Sequence, residues 1–186
     1  MKKALLAAIA VWLVGAPSLR AQEPNLPPPE AAHQWLNQLV GEWKIESTAE
    51  APNGEVFQCH GKAKAESLGG FWVILTIDNQ MGDETVRGVM TVGYDPKSKK
   101  YIGTWVDSMQ SYLWKYEGTL DASGKVLPLE ALGPNMLDPS SEKLLKFRDT
   151  IEIKDKDHFV LVGSVEAEPG KWVKVDDWAG AAEAER

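Results

Sequence analysis

From Glu42 onward, apolar and polar residues alternate one by one, and turn-forming residues interrupt the alternation at short intervals. A period of two describes extended strands with one face covered, and long runs of it exclude a helical bundle. Trp43, Ile45, Ser47 and Ala49 alternate with Glu42, Lys44, Glu46 and Thr48, after which Pro52, Asn53 and Gly54 turn the chain. Phe57, Cys59, Gly61, Ala63 and Ala65 form the next inward row. Gly69 and Gly70 make a corner, and Phe71 to Ile77 is apolar on both faces, fitting a strand covered on both sides, beneath the amino-terminal helix described below. The hairpin Gly93 to Met109 follows, with Asp95, Pro96, Lys97 and Ser98 as its turn. Later strands are read at Tyr112 to Glu117, at Lys125 to Leu132 with Pro128 suiting an edge or bulge, at Leu145 to Ile153, at His158 to Glu166 and at Trp172 to Trp178. Gly133 to Glu142 is the longest irregular stretch and reads as a mouth loop. About ten antiparallel strands joined by short turns, with almost no helix, predict an all-β, up-and-down barrel.

The one helix is expected at 30 to 40, entered through prolines and stopped by Gly41, with Ala32, Trp35, Leu36 and Leu39 on one face. Such a segment makes a lid or plug for an open barrel end. His33 on this helix is read as a surface residue.

Four stretches carry a family resemblance: Gly93 to Met109 (GYDPKSKKYIGTWVDSM), Leu39 to Trp43 (LVGEW), Leu68 to Trp72 (LGGFW) and Gly118 to Lys125 (GTLDASGK). Between about His33 and Val175 the chain resembles the uncharacterised bacterial family DUF1579. The resemblance implies a lipocalin-like (calycin) β-barrel with no established activity or ligand. Members of that family often finish with a tyrosine and a basic residue after the last strand, where this chain has Asp176, Asp177 and Trp178.

The first 21 residues have Lys2 and Lys3, an apolar run from Ala4 to Val14 and small residues beyond, the pattern of a secretory signal peptide cut after Ala21. Residues 22 to 29 read as a proline-rich leader, 30 to 179 as one domain and 180 to 186 as a frayed tail. The apolar run is short for a membrane span, so no stable membrane insertion is expected after cleavage, and the protein is placed in a periplasm or outside the cell. Removing Lys2, Lys3 and Arg20 takes the formal charge from -7 to -10, since no acid leaves with them. An acidic surface without a basic stripe excludes nucleic acid as a partner. Cys59 is the only cysteine, so no internal disulfide forms, and a buried thiol is expected.

On alternation, Tyr101, Gly103, Trp105, Asp107 and Met109 share one face, and Tyr112, Trp114 and Tyr116 project together from the next strand. With Tyr94, these rings form the expected wall of a pocket for a small, partly apolar molecule, with Asp107 or Arg148 as polar anchors. Small inward residues such as Ala63 and Ala65 either leave volume for that molecule or accommodate Trp43 or Trp72 from across the barrel. Two other readings stand beside this one. One is an enzyme on the same barrel using Asp107 or Glu166 as general base, with Asp149 a further acid and Arg148 holding an anion or pairing with Asp149 or Glu166; the other is a ligand-free envelope interaction module with an exposed apolar patch. No cofactor or metal is expected: there is no glycine-rich phosphate loop, no paired-cysteine signature and no GxSxG turn, and His33, His60 and His158 are scattered. His158, the one candidate beneath a haem iron, is read as an exposed strand-start residue. Expression of the full chain in a bacterial host with an intact export pathway should yield a product beginning at Gln22 by intact-mass measurement. A product retaining Met1 contradicts the leader reading.

Overall fold

The computed structural model describes residues 27–50, 56–135, 138 and 140–183, with side chains 49 and 50 left out. The expected signal peptide and residues 22–26 of the leader lie outside them. Ten strands follow a short helix: β1 Gly41–Glu50, β2 Val56–Leu68, β3 Trp72–Met81, β4 Glu84–Asp95, β5 Lys100–Asp107, β6 Trp114–Gly118, β7 Val126–Pro134, β8 Leu144–Asp155, β9 His158–Glu168 and β10 Lys171–Ala182. Each pairs antiparallel with the next, and β10 returns to β1 with Trp43 opposite Ala182, so the meander closes into a barrel. This is the up-and-down, lipocalin-like architecture expected from the alternation and the family resemblance.

Alternation assigns every second residue to the interior. Ile45, Leu75, Ile77, Met90, Val92, Leu127, Leu129 and Ile151 are at most 2 % exposed and form the core with Trp43 and Phe159. Burial of one such side chain contributes about 1.5–3 kcal/mol, so this half of the barrel carries most of the hydrophobic stabilisation. The small inward residues serve as seats for rings. A Cβ on Gly133 would stand 1.9 Å from the Trp114 ring, one on Gly88 2.1 Å from Trp105 and one on Gly180 2.2 Å from Phe159. Trp43 lies directly opposite Ala63 on the neighbouring strand, whereas Trp72 is on the outer face against Gly93.

One end of the barrel is plugged. The helix α1 Ala31–Trp35 runs into a 3-10 turn Leu36–Leu39, whose Leu36 and Leu39 are buried and which packs against β3. Three side-chain bonds hold it: the Trp43 indole N–H donates to the Leu39 carbonyl at 2.8 Å, the Trp35 indole N–H to the distant Gly124 carbonyl at 2.8 Å, and the Tyr101 hydroxyl to the Ala32 carbonyl at 3.0 Å. His33, expected at the surface, is only 3 % exposed. Its Nδ1 accepts the Glu30 backbone N–H at 3.0 Å, and its ring meets Phe71 and Tyr94 edge-on, so the histidine fills the plug rather than the polar face.

Two boundaries differ from the alternation reading. Pro128 sits inside a regular β7, paired with Thr150 of β8, but the other side of β7 pairs with β6 at only two positions, Glu117↔Glu130 and Gly118↔Leu129, leaving an open seam. The carboxy-terminal tail expected from 180 is strand through Ala182, because the Ala182 N–H donates to the Asp157 carbonyl and the Glu183 N–H to the Glu42 carbonyl. Backbone bonding, not apolar content, docks it. Leu129→Ala should lower the unfolding free energy by about 2–5 kcal/mol in urea titration, while Val106→Thr on the outer face should change it by less than about 0.5 kcal/mol. Equal effects would contradict this division of inside and outside.

Candidate ligand chamber

Beyond the solid half, toward the end opposite the plug, several inward residues keep contact with solvent. Trp105, Asp107, Phe147, Asp149, Val165, Asp176 and Trp178 are all on the inner face, yet only half-buried. Side chains that point inward and still touch water mark the part of the interior that is least completely sealed.

The groups in that part are aromatic and acidic. Asp149 and Asp176 are brought together because each is in register with Gly163, one on β8 and the other on β10. Gly163 leaves room for the Asp176 carboxylate, whose Oδ1 accepts the Gly163 N–H at 3.0 Å. The Tyr116 hydroxyl donates to Asp149 Oδ2 from β6, reaching past β7. Trp178 hydrogen-bonds Asp176 and packs edge-on against Trp105, with 6.4 Å between ring centroids. On its other side the Trp105 N–H donates to Asp107 Oδ2 at 3.0 Å. Trp114, opposite Trp105 in register, lies 4.8 Å from Phe147 and 5.1 Å from Tyr112 between centroids.

Burial pushes the Asp149 carboxyl up to about 7, against the opposing effect of the Tyr116 hydrogen bond, and the charge of Asp176 adds to the rise. Asp176 is raised for the same first reason, with its bonds from Trp178 and Gly163 acting the other way. Tyr116 is raised well above the usual phenol range by burial and then by Asp149. The lysines and arginines of the described strands lie on the outer face or in exposed positions, so no interior cation compensates these acids. Two further polar atoms in the interior have no hydrogen-bond partner: the Trp114 Nε1, on a side chain from a residue 7 % exposed, and the Asn79 Oδ1, from one 3 % exposed. Asn79 donates through Nδ2 to Ser47 Oγ at 2.7 Å, and Ser47 is directly opposite Trp178.

Of the residues singled out from the sequence, the structure brings Trp105, Asp107, Trp114 and Tyr116 to this chamber. Tyr112 stands at its edge, its hydroxyl donating to the Leu132 carbonyl across the β6–β7 seam at 3.0 Å. It also lines a groove of about 750 Å³ on the outer wall with Leu113, Leu132 and Lys146. Asp107 is a loop-holding residue: besides Trp105, it accepts the backbone N–H groups of Met109 and Gln110 and the Gln110 amide. Tyr94 is elsewhere, at the plugged end between His33 and Tyr101. Arg148 is on the outer face, bound to Glu130 and stacked 3.7 Å over Trp172, and does not pair with Asp149 or Glu166. Glu166 is of the outward parity and accepts the Gly170 N–H at the β9–β10 turn. His158 is exposed and bonded to Asp155 at 2.8 Å, and Cys59 is buried and free. No group of three or more potential metal ligands occurs among the described residues.

Asp176, Trp178, Asn79 and Ser47 were missed as site residues. Asp176 turns inward through the β-bulge between Lys174 and Asp176, which breaks the simple alternation. Asp149 was legible as an inward acid between Phe147 and Ile151, but its tyrosine partner is two strands away.

The family model for a protein of unknown function, DUF1579, matches residues 28–177, and the chain belongs to that family. Among solved structures, it is similar to Rv2717c from M. tuberculosis, with a TM-score of 0.62 and 13 % identity over 84 % of this chain and 99 % of that one. It is also similar to the S-type phycobiliprotein lyase CPES from Guillardia theta, with a TM-score of 0.56 and 9 % identity over 82 % and 93 %. At these identities the likeness is one of fold. No curated protein matches the chain.

The raised Asp149 has a consequence for stability. The unfolded chain releases this proton in the ordinary carboxylate range, whereas the folded protein holds it up to about 7, so stability falls as pH rises between about 4 and 7. Asp149→Asn removes that loss. The variant should melt several degrees above the wild type at pH 8 and close to it at about pH 4; a lower melting temperature at pH 8 would contradict the assignment.

Proposed function

We propose that this member of the DUF1579 family is an exported protein that takes a small, partly apolar molecule into the half-open end of its barrel. The observation that carries the reading is the contrast along the barrel axis. Inner residues such as Leu127, Leu129 and Ile151 are sealed, while Trp105, Asp149, Asp176 and Trp178 face inward and remain accessible. A wall of indole rings with a few fixed polar groups is the usual make-up of a small-molecule site. Export to a periplasm or beyond rests on the basic and apolar amino-terminal segment alone.

The enzyme reading has less support. Asp107 is engaged by four hydrogen bonds that shape the β5–β6 loop, and Glu166 faces away from the interior. General-base work needs a carboxylate within reach of a substrate proton; Asp107 is occupied and Glu166 is turned away, while the inward Asp149 is engaged as the acceptor of the Tyr116 hydroxyl.

Native mass spectrometry of the protein from its own host should show a retained small molecule. In the empty protein, the neutral dye Nile red should brighten on binding. Val165→Trp, which puts an indole among Phe147, Val173 and the acids, should reduce that binding at least tenfold while the far-ultraviolet circular dichroism spectrum stays unchanged. Dye binding unaffected by this substitution would place the site elsewhere.

A further inference from the structure

Among the described residues the chamber has acids but no bases, and this bears on the kind of molecule it takes. Asp149 and Asp176 approach from β8 and β10 around Gly163, and Asp107 stands near Tyr116 on the far side. The cations closest along the wall do not answer them: Arg148 is committed to Glu130 and Trp172 outside, and Lys174, which acts on Asp176, is an exposed side chain 3.4 Å from Asp177. Carboxylates drawn out of water without a counter-charge are costly, and in nearly all folded proteins such groups are paired. The Trp105 and Trp178 rings flank the same acids, and an aromatic face attracts a cation as a carboxylate does. Independently of the acids, two buried polar atoms nearby lack partners, the Trp114 N–H and the Asn79 carbonyl oxygen. An anionic molecule would meet only repulsion from the carboxylates. A neutral hydrocarbon would leave both acids and the Asn79 oxygen unanswered.

Resting on the chamber reading above, we propose that the ligand is an organic cation: a protonated amine on an apolar body, with its ammonium hydrogens donated to Asp149 and Asp176 and its body against Trp105 and Trp178. Asn79 accepts a further hydrogen from the ligand. The preference belongs to the chamber and not to the generally acidic surface.

Three probes of one shape test this by isothermal titration calorimetry: 4-phenylbutylamine, 4-phenylbutanol and 4-phenylbutyrate. At pH 8 the amine should bind at least tenfold more tightly than the alcohol, and the acid should bind more weakly than either. Asp149→Asn and Asp176→Asn should each bring the amine to within threefold of the alcohol measured on the same variant. In the wild type, lowering the pH from 8 to 5.5 should weaken amine binding by protonating Asp149, which faces Tyr116 and Asp176, and should leave the alcohol unaffected. If the alcohol binds and the amine has no advantage, the cation proposal fails and the chamber stands. If the amine's advantage survives both substitutions and the pH change, it comes from surface charge, and the proposal fails likewise. If none of the three binds, the chamber reading itself falls.

Discussion

Closure of β10 onto β1 obliges every second residue of ten strands to face a common interior, and the rest of the structure follows from how that interior is filled. A ring of this many strands is too wide for aliphatic side chains to close alone. At one end the gap is filled by the helix and its 3-10 turn, with Leu36 and Leu39 inserted and the Trp43, Trp35 and Tyr101 bonds holding them. Among the described residues, nothing comparable is inserted below the other end. Large rings seated on Gly88 and Gly133 narrow the space there without sealing it.

The unsealed half is also where the polar interior lies, and the two facts are physically linked. Acids such as Asp149 and Asp176 survive inside only because bonds from Tyr116, Trp178 and the Gly163 N–H partly answer them, and because some of their surface still meets water. Even so they are held in the folded state against their ionised form. An all-leucine interior would be more stable at neutral pH. The molecule gives up stability where its interior is least sealed, which is the pattern expected of a binding site rather than of a folding core.

Much of this was readable from residue order. Alternation from Trp43 onward, with turns at Asp95 to Ser98 and Asp121 to Gly124, requires a meander of about ten strands, and the Asp95 carboxylate does take the Lys97 and Ser98 N–H groups of its turn. Trp105, Trp114 and Tyr116 were recoverable as inward rings because nothing interrupts the period across β5 and β6. The failures have local causes. His33 was misplaced because a histidine on a short amphipathic helix looks polar, while its actual neighbours, Phe71 and Tyr94, come from other strands. Arg148 looks like a pocket anchor from its charge alone, although its parity with Lys146 puts it outside with Glu130. Asp176 was lost to a single bulge residue, since one inserted position reverses which face every later side chain takes. The pairing of Asp149 with Tyr116 crosses β7 and has no signature in either strand.

The division of the barrel into a sealed and an open half is tested most directly by a crystal structure of the purified protein at a resolution that shows ordered solvent. The account predicts density for waters or a small molecule between Trp105, Trp178, Asp149 and Asp176, and none among Leu127, Leu129 and Ile151. Side chains packed in contact throughout the upper interior, with those two carboxylates turned outward, would contradict it.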